Sequence, residues 1–325
     1  MPEPTLSIVI PVHNEEESLA ELHNRLSSVL AEIDGTAEIV VVDDGSRDRS
    51  FDVMLALREL DDRVKVARLS RNFGHQVAIS AGLDLAAGDA VIVMDADLQH
   101  PPELIPDLVA RWREGYDVVY GVMRERSSES RLKRVTARAF YGLLARLSDV
   151  DVPPAAGDFR LVDRKVVAAF RRMHEQNRYI RGMFSWLGFR QIGVDYVCPP
   201  RFAGASKYTF RKMVRFARDG ILSFSSVPLR LMLKLGIVVS LLAVASAVAT
   251  IVAKLSGHGV PGFATIVVSI SFLGGVQLLV LGVIGEYIAR IHDEVRGRPL
   301  YVFADLHGFE PEQLLVERTT LHGVR

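Results

Sequence analysis

Short apolar runs alternate with longer amphipathic stretches over the first part of the chain. The runs that end in polar or turn-forming residues, as buried strands do, are 6–12, 37–46, 64–70 and 89–97. Between them, 16–33 and 74–88 carry apolar residues at helical spacing. Strands that alternate with helices form βαβ units. The pattern therefore predicts an α/β domain with a Rossmann-like, mostly parallel sheet over residues 1–207.

Two long uncharged segments follow later in the chain, at 235–253 and 260–285. A helix needs about 20 apolar residues to cross a bilayer, and both segments are of that order. A pair of buried core helices is the alternative, but core helices rarely run this far without a charge. We therefore predict an integral membrane protein, with a two-helix transmembrane hairpin at 233–288 and a tail at 289–325.

Basic residues flank the predicted hairpin at both ends, whereas its connecting loop offers only Lys254. Cytoplasmic flanks of membrane helices are enriched in Lys and Arg. This bias predicts that the N-terminal domain and both chain termini lie in the cytoplasm. The flanking residues are Arg215, Arg218, Arg230, Lys234, Arg290, Arg296 and Arg298.

Two further stretches are amphipathic with a basic face. In 208–224, Arg211, Arg215 and Arg218 share one face and apolar residues the other, which predicts membrane-interface helices over 208–232. An ordinary packed helix is the alternative. In 130–147 the basic face is equally consistent with solvent exposure and with contact to lipid phosphates.

Charge balance and cysteine content exclude some classes of function. Lys plus Arg and Asp plus Glu are equal at 39 each, so the chain lacks the basic excess of a nucleic-acid-binding protein. The single cysteine, Cys198, excludes an intrachain disulfide and a cysteine metal cage. The N-terminus lacks a basic start and a long apolar run, so no cleavable signal peptide is expected.

Polar residues cluster where the predicted strands end, and ligands of parallel sheets bind beyond the carboxyl ends of the strands. Asp95 and Asp97 end the fourth predicted strand, and side chains at this spacing share one face of a regular strand. Carboxylates suit hard cations such as Mg²⁺ or Mn²⁺, and Gln99 could add a neutral oxygen. A divalent metal whose shell is completed by phosphates is therefore predicted here.

Other motifs are absent or ambiguous. The sequence has no G-x-x-x-x-G-K-[ST] loop, and no G-x-G-x-x-G follows the first predicted strand, which argues against a dinucleotide cofactor. His13, His75 and His100 are candidates for the rim of the cleft. Asp158 could act as a base, position an acceptor or cap a turn. The basic loop at 201–212 could close over a pyrophosphate or contact lipid headgroups.

Taken together, these motifs resemble the family 2 glycosyltransferases with a GT-A fold. In particular they resemble the polyprenyl-phosphate glycosyltransferases, the dolichol-phosphate mannosyltransferase and bactoprenol glucosyltransferase group. The stretches that carry the resemblance are SIVIPVHNEEESL, IVVVDDGSRDRS, the run from LSRNFGHQ to DADLQHPPELIP, GDFRLVDR, RFAGASKYTFRK and LGVIGEYIARI. They follow the family order over nearly the whole chain, including the two C-terminal spans.

The resemblance implies residue roles. Asp158 and Asp97 would be catalytic, and Asp95, Asp97 and Gln99 would hold the Mg²⁺ or Mn²⁺ that bridges the donor diphosphate. The residues implied to bind the nucleotide sugar are Pro11, His13, Glu15, Asp43, Asp44, Asp95, Ala96, Arg124, Arg201 and Lys207. Arg134 and Arg138 would meet the lipid phosphate.

The implied activity is that of a metal-dependent, inverting hexosyltransferase of a bacterial or archaeal cell membrane. It would move a sugar from a UDP- or GDP-linked donor to undecaprenyl or dolichyl phosphate, for cell-envelope glycan or glycoprotein modification. A processive polysaccharide synthase and a non-catalytic, membrane-anchored nucleotide-sugar binding protein remain as alternatives, although the sequence lacks the Q-x-x-R-W motif of the former. Gly274, Gly275 and Gly282 would permit the close helix contacts of a homo-oligomer.

Overall fold

The computed structural model describes residues 4–124, 156–197, 227–256 and 262–309. The basic stretch at 130–147 and the segment 201–224 lie outside the described residues, so the predictions made for them stay predictions.

The described chain begins as alternating strands and helices. The elements of this first part are β1 (Leu6–Val12), α1 (Leu19–Ala31), β2 (Ala37–Asp43), α2 (Ser50–Leu60), β3 (Val64–Leu69), α3 (His75–Leu85), β4 (Ala90–Val93), a 3₁₀ turn (Pro102–Leu104) and α4 (Ile105–Arg113). The elements that follow are β5 (Val118–Arg124), β6 (Ala156–Asp163), α5 (Arg164–Phe170), α6 (Ile180–Leu187), β7 (Gln191–Val197), α7 (Val227–Leu255), α8 (Phe263–Val295) and β8 (Phe303–His307).

The strands form one sheet in the order β7-β5-β6-β4-β1-β2-β3-β8. Strand β1 pairs in parallel with β2 and β4, β2 with β3, and β5 with β7. Strand β6 runs antiparallel between β4 and β5, and β8 runs antiparallel along β3. The predicted α/β class and mostly parallel sheet are confirmed. The antiparallel strands were not predicted, because pairing direction leaves no local mark on the sequence.

Both faces of the sheet are covered. Every residue of β1 is buried, as expected for a strand with helices on both sides. Ile8 and Ile10 belong to the core beneath α1 and α4, whereas Val9 belongs to the opposite core with Ile79 and Phe184. Successive side chains of a strand point to opposite faces. The continuous apolar run of β1 therefore serves two cores at once.

Strand β4 is shorter than the sequence pattern indicates, because it ends at Val93 rather than at 97. Asp95 and Asp97 lie in the following turn, in which Leu98 has a left-handed φ of 62°. The expectation that both carboxylates share one face of a regular strand was wrong. The turn, rather than strand geometry, sets their positions.

Helices α7 and α8 are long and predominantly apolar. Leu231–Ala253 has a mean hydropathy of 2.5 and Val268–Val295 one of 2.1, and neither is buried inside the protein. A soluble core helix of this composition would be covered by other elements. The two predicted apolar helices are therefore confirmed as long enough to span a bilayer.

The segment expected as a tail contains further structure. Helix α8 continues to Val295, past the predicted end of the hairpin at 288. Residues 303–307 then form β8, the edge strand of the sheet beside β3. The chain thus returns to the first domain after its second long helix.

Candidate active site

Strands β1, β2 and β4 run parallel and end at the same edge of the sheet. The ends of these strands and the loops that follow carry the three predicted groups of residues, at 11–16, 43–46 and 95–99. Pro11 is buried in β1 opposite Val42, beyond the point where the pairing with β4 ends at Val9 and Val93. A proline lacks a backbone donor, so it is tolerated where the ladder on one side has stopped.

The loops after β1 and β2 are joined by hydrogen bonds. Asn14, whose φ is 56°, donates its backbone N–H to Ser46 Oγ at 3.0 Å and accepts from the backbone N–H of Arg47 at 2.8 Å. The backbone N–H of Glu15 donates to Ser50 Oγ at 2.8 Å. The loop that carries the half-buried His13 and Glu15 is therefore fixed by hydrogen bonds to the chain after β2.

Asp43 and Asp44 are buried structural acceptors beside this loop. Asp44 is 3% exposed and accepts the backbone N–H groups of Phe73 at 2.7 Å and Gly74 at 3.0 Å. Burial raises the pKa of Asp44, although these N–H groups favour the charged form. Asp43 accepts the backbone N–H of Ser46 at 3.0 Å. Both acids thus fix the loops at this edge of the sheet.

His13 and Asn72 meet at the carbonyl oxygen of Asp44. His13 Nδ1 lies 3.0 Å from this oxygen, and Asn72 Nδ2 donates to it at 3.1 Å. Asn72 was not predicted from the sequence, since it belongs to the loop after β3 rather than to an acidic strand end. The loops after β1, β2 and β3 therefore meet at Asp44.

The acid pair lies in the turn after β4. Asp97 is 8% exposed, and its Oδ1 accepts the backbone N–H of Gln99 at 3.1 Å. Within the described residues, Asp95 Oδ1 is buried and accepts no hydrogen bond, although His75 Nε2 lies 3.4 Å away. Ala96 between them is buried. The left-handed Leu98 holds this turn in a sparsely populated conformation, which costs about 1–3 kcal/mol.

His100 contacts the same turn through a hydrogen bond. The backbone N–H of Asp95 donates to His100 Nδ1 at 2.9 Å, so this nitrogen is the acceptor and the ring is neutral. The 3.6 Å approach of His100 Nδ1 to Asp95 Oδ2 is therefore not an ion pair. The ring stacks on Phe159 with centroids 5.0 Å apart. His100 thus serves as a packed support rather than as a charged group.

The donor set fits a divalent metal that is shared with a substrate. Among the described residues, no three His, Cys, Asp or Glu side chains come together as a complete metal cage. The turn instead presents the oxygens of Asp95 and Asp97, including the buried Asp95 Oδ1 that lacks a hydrogen bond, with the half-buried Gln99 beside them. Mg²⁺ is commonly bound by one or two carboxylates together with substrate phosphates.

Asp158 is placed by β6 and held by Arg181 from α6. Arg181 Nε donates to Asp158 Oδ1 at 2.8 Å and its Nη2 to Oδ2 at 3.0 Å. Asp158 is 7% exposed. Burial alone would raise the pKa of this carboxyl, but the charges and hydrogen bonds of Arg181 and His75 hold it well below its usual range. Asp158 is therefore ionised at any physiological pH.

His75 bridges Asp158 to the acid pair. Its Nε2 lies 3.6 Å from Asp158 Oδ2 and 3.4 Å from Asp95 Oδ1. Burial lowers the pKa of His75, but the two carboxylates outweigh it and raise this pKa to about 9. The structure thus joins Asp95 and Asp158 through His75, and Asp97 lies in the same turn as Asp95.

Sequence reasoning missed Arg181 and Arg160. Arg160 is 3% exposed in β6, donates to the carbonyl oxygen of Gly157 at 2.8 Å and lies 5.0 Å from the ring of Phe184. Burial lowers the pKa of Arg160 to about 10. The available signal for Arg181 was a single charge in the otherwise apolar helix IRGMFSWL. A lone arginine at a helix start does not reveal its partner.

The predicted phosphate-binding cations lie at the end of a described segment or outside the described residues. Arg124 is the last residue of β5. Arg134, Arg138, Arg201 and Lys207 lie outside the described residues. Their roles toward phosphates stay predictions.

Comparison with known proteins gives consistent matches. The family described as "Glycosyl transferase family 2" matches residues 7–170, and that described as "GtrB C-terminal hairpin" matches residues 227–291. An uncharacterized glycosyltransferase from Synechocystis is 48% identical over 94% of this chain and 96% of that protein. A prophage-derived bactoprenol glucosyl transferase from Shigella flexneri is 40% identical over 94% of this chain and 99% of that protein.

A solved structure shares part of the shape. The mannosyl-3-phosphoglycerate synthase from Rubrobacter xylanophilus covers 71% of this chain and 75% of its own, with a TM-score of 0.48 and 17% identity. This is a partial likeness of shape and nothing more.

Proposed function

The chain belongs to glycosyltransferase family 2, and from that premise we propose that it transfers a sugar from a nucleoside-diphosphate sugar to a polyprenyl phosphate. One combination of observations carries the proposal: an acid pair joined to Asp158 at the carboxyl edge of the sheet, in a chain that also has two helices long enough to span a membrane. The 40% identity to a protein named bactoprenol glucosyl transferase supports a polyprenyl phosphate as acceptor.

The donor would be UDP- or GDP-linked and would occupy the pocket rimmed by 13–15, 43–46 and 72–74. Asp95, Asp97 and Gln99 would hold Mg²⁺ or Mn²⁺ there. When bound, the metal would supply positive charge that offsets the charge growing on the leaving diphosphate. Arg124, Arg201 and Lys207 are proposed to contact the same phosphates, and Arg134 and Arg138 the phosphate of the lipid.

The proposed reaction is a single in-line displacement. An oxygen of the lipid phosphate forms a bond to the anomeric carbon while the bond from that carbon to the diphosphate breaks, so the configuration inverts and the nucleoside diphosphate leaves. The second pKa of a phosphate monoester is about 6, so the nucleophile is largely ionised near neutral pH. A strong base is therefore unnecessary. Asp158, fixed as an anion by Arg181, is proposed to orient the sugar or the acceptor instead.

The return of the chain to the sheet supports a membrane orientation. Strand β8 follows α8 and pairs with β3, so the end of α8 lies on the same side as the site. A chain that crosses the membrane twice also ends on the same side of the membrane as it began. Together with the positive-inside bias, this supports a site and chain termini in the cytoplasm of a bacterial or archaeal cell.

The test is to incubate membranes that contain the protein with undecaprenyl phosphate and a panel of labelled UDP- and GDP-sugars. We expect one label to enter the lipid fraction as a product that needs both substrates. Binding of a nucleotide sugar without any transfer would instead indicate a non-catalytic binding protein. Labelled polymer longer than one sugar would indicate a processive synthase.

A further inference from the structure

The segment Glu294–His307, here called the return segment, connects the end of the second long helix to the sheet. It makes two separate groups of contacts with the first domain besides the pairing of β8. Glu294 Oε1 accepts the backbone N–H of Gln176 at 2.7 Å, and Gln176 Nε2 donates to the carbonyl oxygen of Arg298 at 2.9 Å. Tyr301 donates its hydroxyl to Asp84 Oδ2 at 2.7 Å.

The first group of contacts holds the connection between α5 and α6. This connection has no helix or strand of its own between Phe170 and Ile180. It leads directly into the first turn of α6, where Arg181 makes its fork to Asp158. The backbone N–H of Ile180 donates to Gln76 Oε1 at 2.9 Å, which ties the same turn to α3. The return segment thus holds Gln176, which lies five residues before Arg181 in the same connection.

The second group holds the far end of α3. Arg171 Nη2 donates to the carbonyl oxygens of Leu83 and Ala86 at 2.6 and 2.9 Å. These bonds provide partners for carbonyl groups at the C-terminal end of α3. Asp84 in the same turn receives Tyr301. Helix α3 begins at His75, the residue between Asp95 and Asp158. The return segment therefore contacts both parts of the chain that reach Asp158. These are helix α3, which carries His75, and the connection that leads into Arg181 of α6.

We propose that the return segment is a positioning element of the active site, which ties the end of the membrane hairpin to Arg181 and His75 and so keeps Asp158 aimed. Gln176 and Glu294 act through Arg181 and do not touch the reacting atoms. This inference rests on the proposed sugar transfer for its kinetic readout only, because the order of the α5–α6 connection can be measured without any substrate.

The first experiment uses the full-length protein in lipid nanodiscs and the double variant Gln176→Ala/Glu294→Ala. Amide hydrogen exchange over 174–183 should become about tenfold faster, since the two hydrogen bonds that hold Gln176 are lost. Turnover should fall by about tenfold, because Asp158 is less well placed. The affinity for the nucleotide sugar should stay within about twofold, because the rim of its pocket is built from other loops.

Two matched variants separate positioning from general damage. Glu294→Gln keeps an oxygen that can accept from Gln176 and should restore near wild-type exchange and turnover. Asp293→Ala removes the neighbouring exposed carboxylate and should behave as wild type. Unchanged exchange over 174–183 in the double variant would overturn the proposal, and so would faster exchange with full turnover. If the wild type transfers no sugar, the proposed function fails, and exchange alone then decides this inference.

The second experiment addresses Tyr301. Tyr301→Phe removes one hydrogen bond to Asp84 and leaves the ring in place. Exchange should rise about fivefold over 83–88, at the end of α3. Tyr116→Phe is the control, since the ring of Tyr116 packs on Arg190 and keeps that contact without its hydroxyl. Exchange at 83–88 equal to wild type in Tyr301→Phe would remove this residue from the positioning element.

Discussion

At the scale of single residues, the site depends on how Asp158 is held. A fork of two hydrogen bonds from Arg181 meets a carboxylate that is 7% exposed. The pKa of Asp158 lies well below its ordinary value of 3.8, so the ion pair contributes to stability above the unfolded-state pKa. That contribution is lost only as the pH falls through the lower folded-state pKa. The range from roughly pH 5 to 8 lies above both the folded-state and the unfolded-state pKa of Asp158. Activity should accordingly show no loss in this range that arises from protonation of Asp158.

The geometry of this fork predicts the behaviour of Arg181→Lys. Lysine keeps the charge but cannot donate two parallel hydrogen bonds to a carboxylate. We expect kcat to fall by about ten- to a hundredfold, with the KM for the nucleotide sugar within about twofold. Steady-state kinetics with a labelled donor measure both values. Arg172→Lys, at an exposed position shortly before Arg181, is the control. A raised KM with unchanged kcat would contradict the assigned role.

The turn after β4 predicts metal dependence. Asp97→Asn keeps the size of the side chain but removes a charged oxygen, so we expect transfer to fall by about two orders of magnitude or more while the melting temperature changes little. Wild-type transfer should also stop in EDTA and return with Mg²⁺ or Mn²⁺. Asp107→Asn, at an exposed position in the first turn of α4, should retain activity. Full turnover in EDTA would rule out the metal.

At the scale of elements, three loops meet at the edge of the sheet where the polar residues cluster. The loops after β1, β2 and β3 are joined at Asp44. Its carbonyl oxygen contacts His13 and Asn72, and its carboxylate accepts two backbone N–H groups just before α3. Gly45 lies at the centre of this junction with a left-handed φ of 64°. A Cβ there would lie 2.6 Å from the backbone of Arg71 and Asn72. The close approach of two backbones is possible only because this residue has no side chain.

Gly45→Ala should therefore displace the loop that carries Asn72. The left-handed backbone costs about 1–2 kcal/mol for alanine, and the clash with backbone atoms adds about 1–3 kcal/mol. Gly115→Ala is the matched control, because its φ is 93° but the nearest atom to its Cβ is the flexible Arg190 side chain at 3.6 Å. Denaturant unfolding measures the two losses, and calorimetry the nucleotide-sugar affinity. Equal losses in both variants, with unchanged affinity, would contradict the close approach.

At the scale of the whole molecule, the sheet joins parts of the chain that lie on either side of the hairpin. Strands β1 to β7 precede α7, whereas β8 follows α8 and completes the edge beside β3. The two long apolar helices are therefore an insertion between strands of one sheet. In the proposed membrane orientation, a domain connected to the hairpin at two points would be held more firmly at the bilayer than one on a single linker, which suits the proposed lipid acceptor.

The exposed apolar surface of α7 predicts how the protein responds to a charge within the bilayer. Leu242 is 64% exposed within the candidate span Leu231–Ala253. Arginine near the centre of a membrane helix costs about 2.5–3.5 kcal/mol on insertion scales. Leu242→Arg should thus lower the fraction of protein recovered in carbonate-washed membranes. Leu255→Arg, beyond the span and 83% exposed, should not. Equal recovery of both variants would place α7 outside the bilayer.

The sequence by itself determined the α/β class, the two apolar helices and the fact that Asp44, Asp95 and Asp97 follow buried strands. These features are local, since burial of a strand and the length of an uncharged helix are written in consecutive residues. Only the tertiary structure decided that Arg181 holds Asp158, that His75 joins Asp158 to Asp95, and that 303–307 is a strand of the sheet. Each of these is a contact between residues far apart in the chain, and hydrogen bonds and ion pairs of that kind depend on how the elements pack, which no single stretch of sequence specifies.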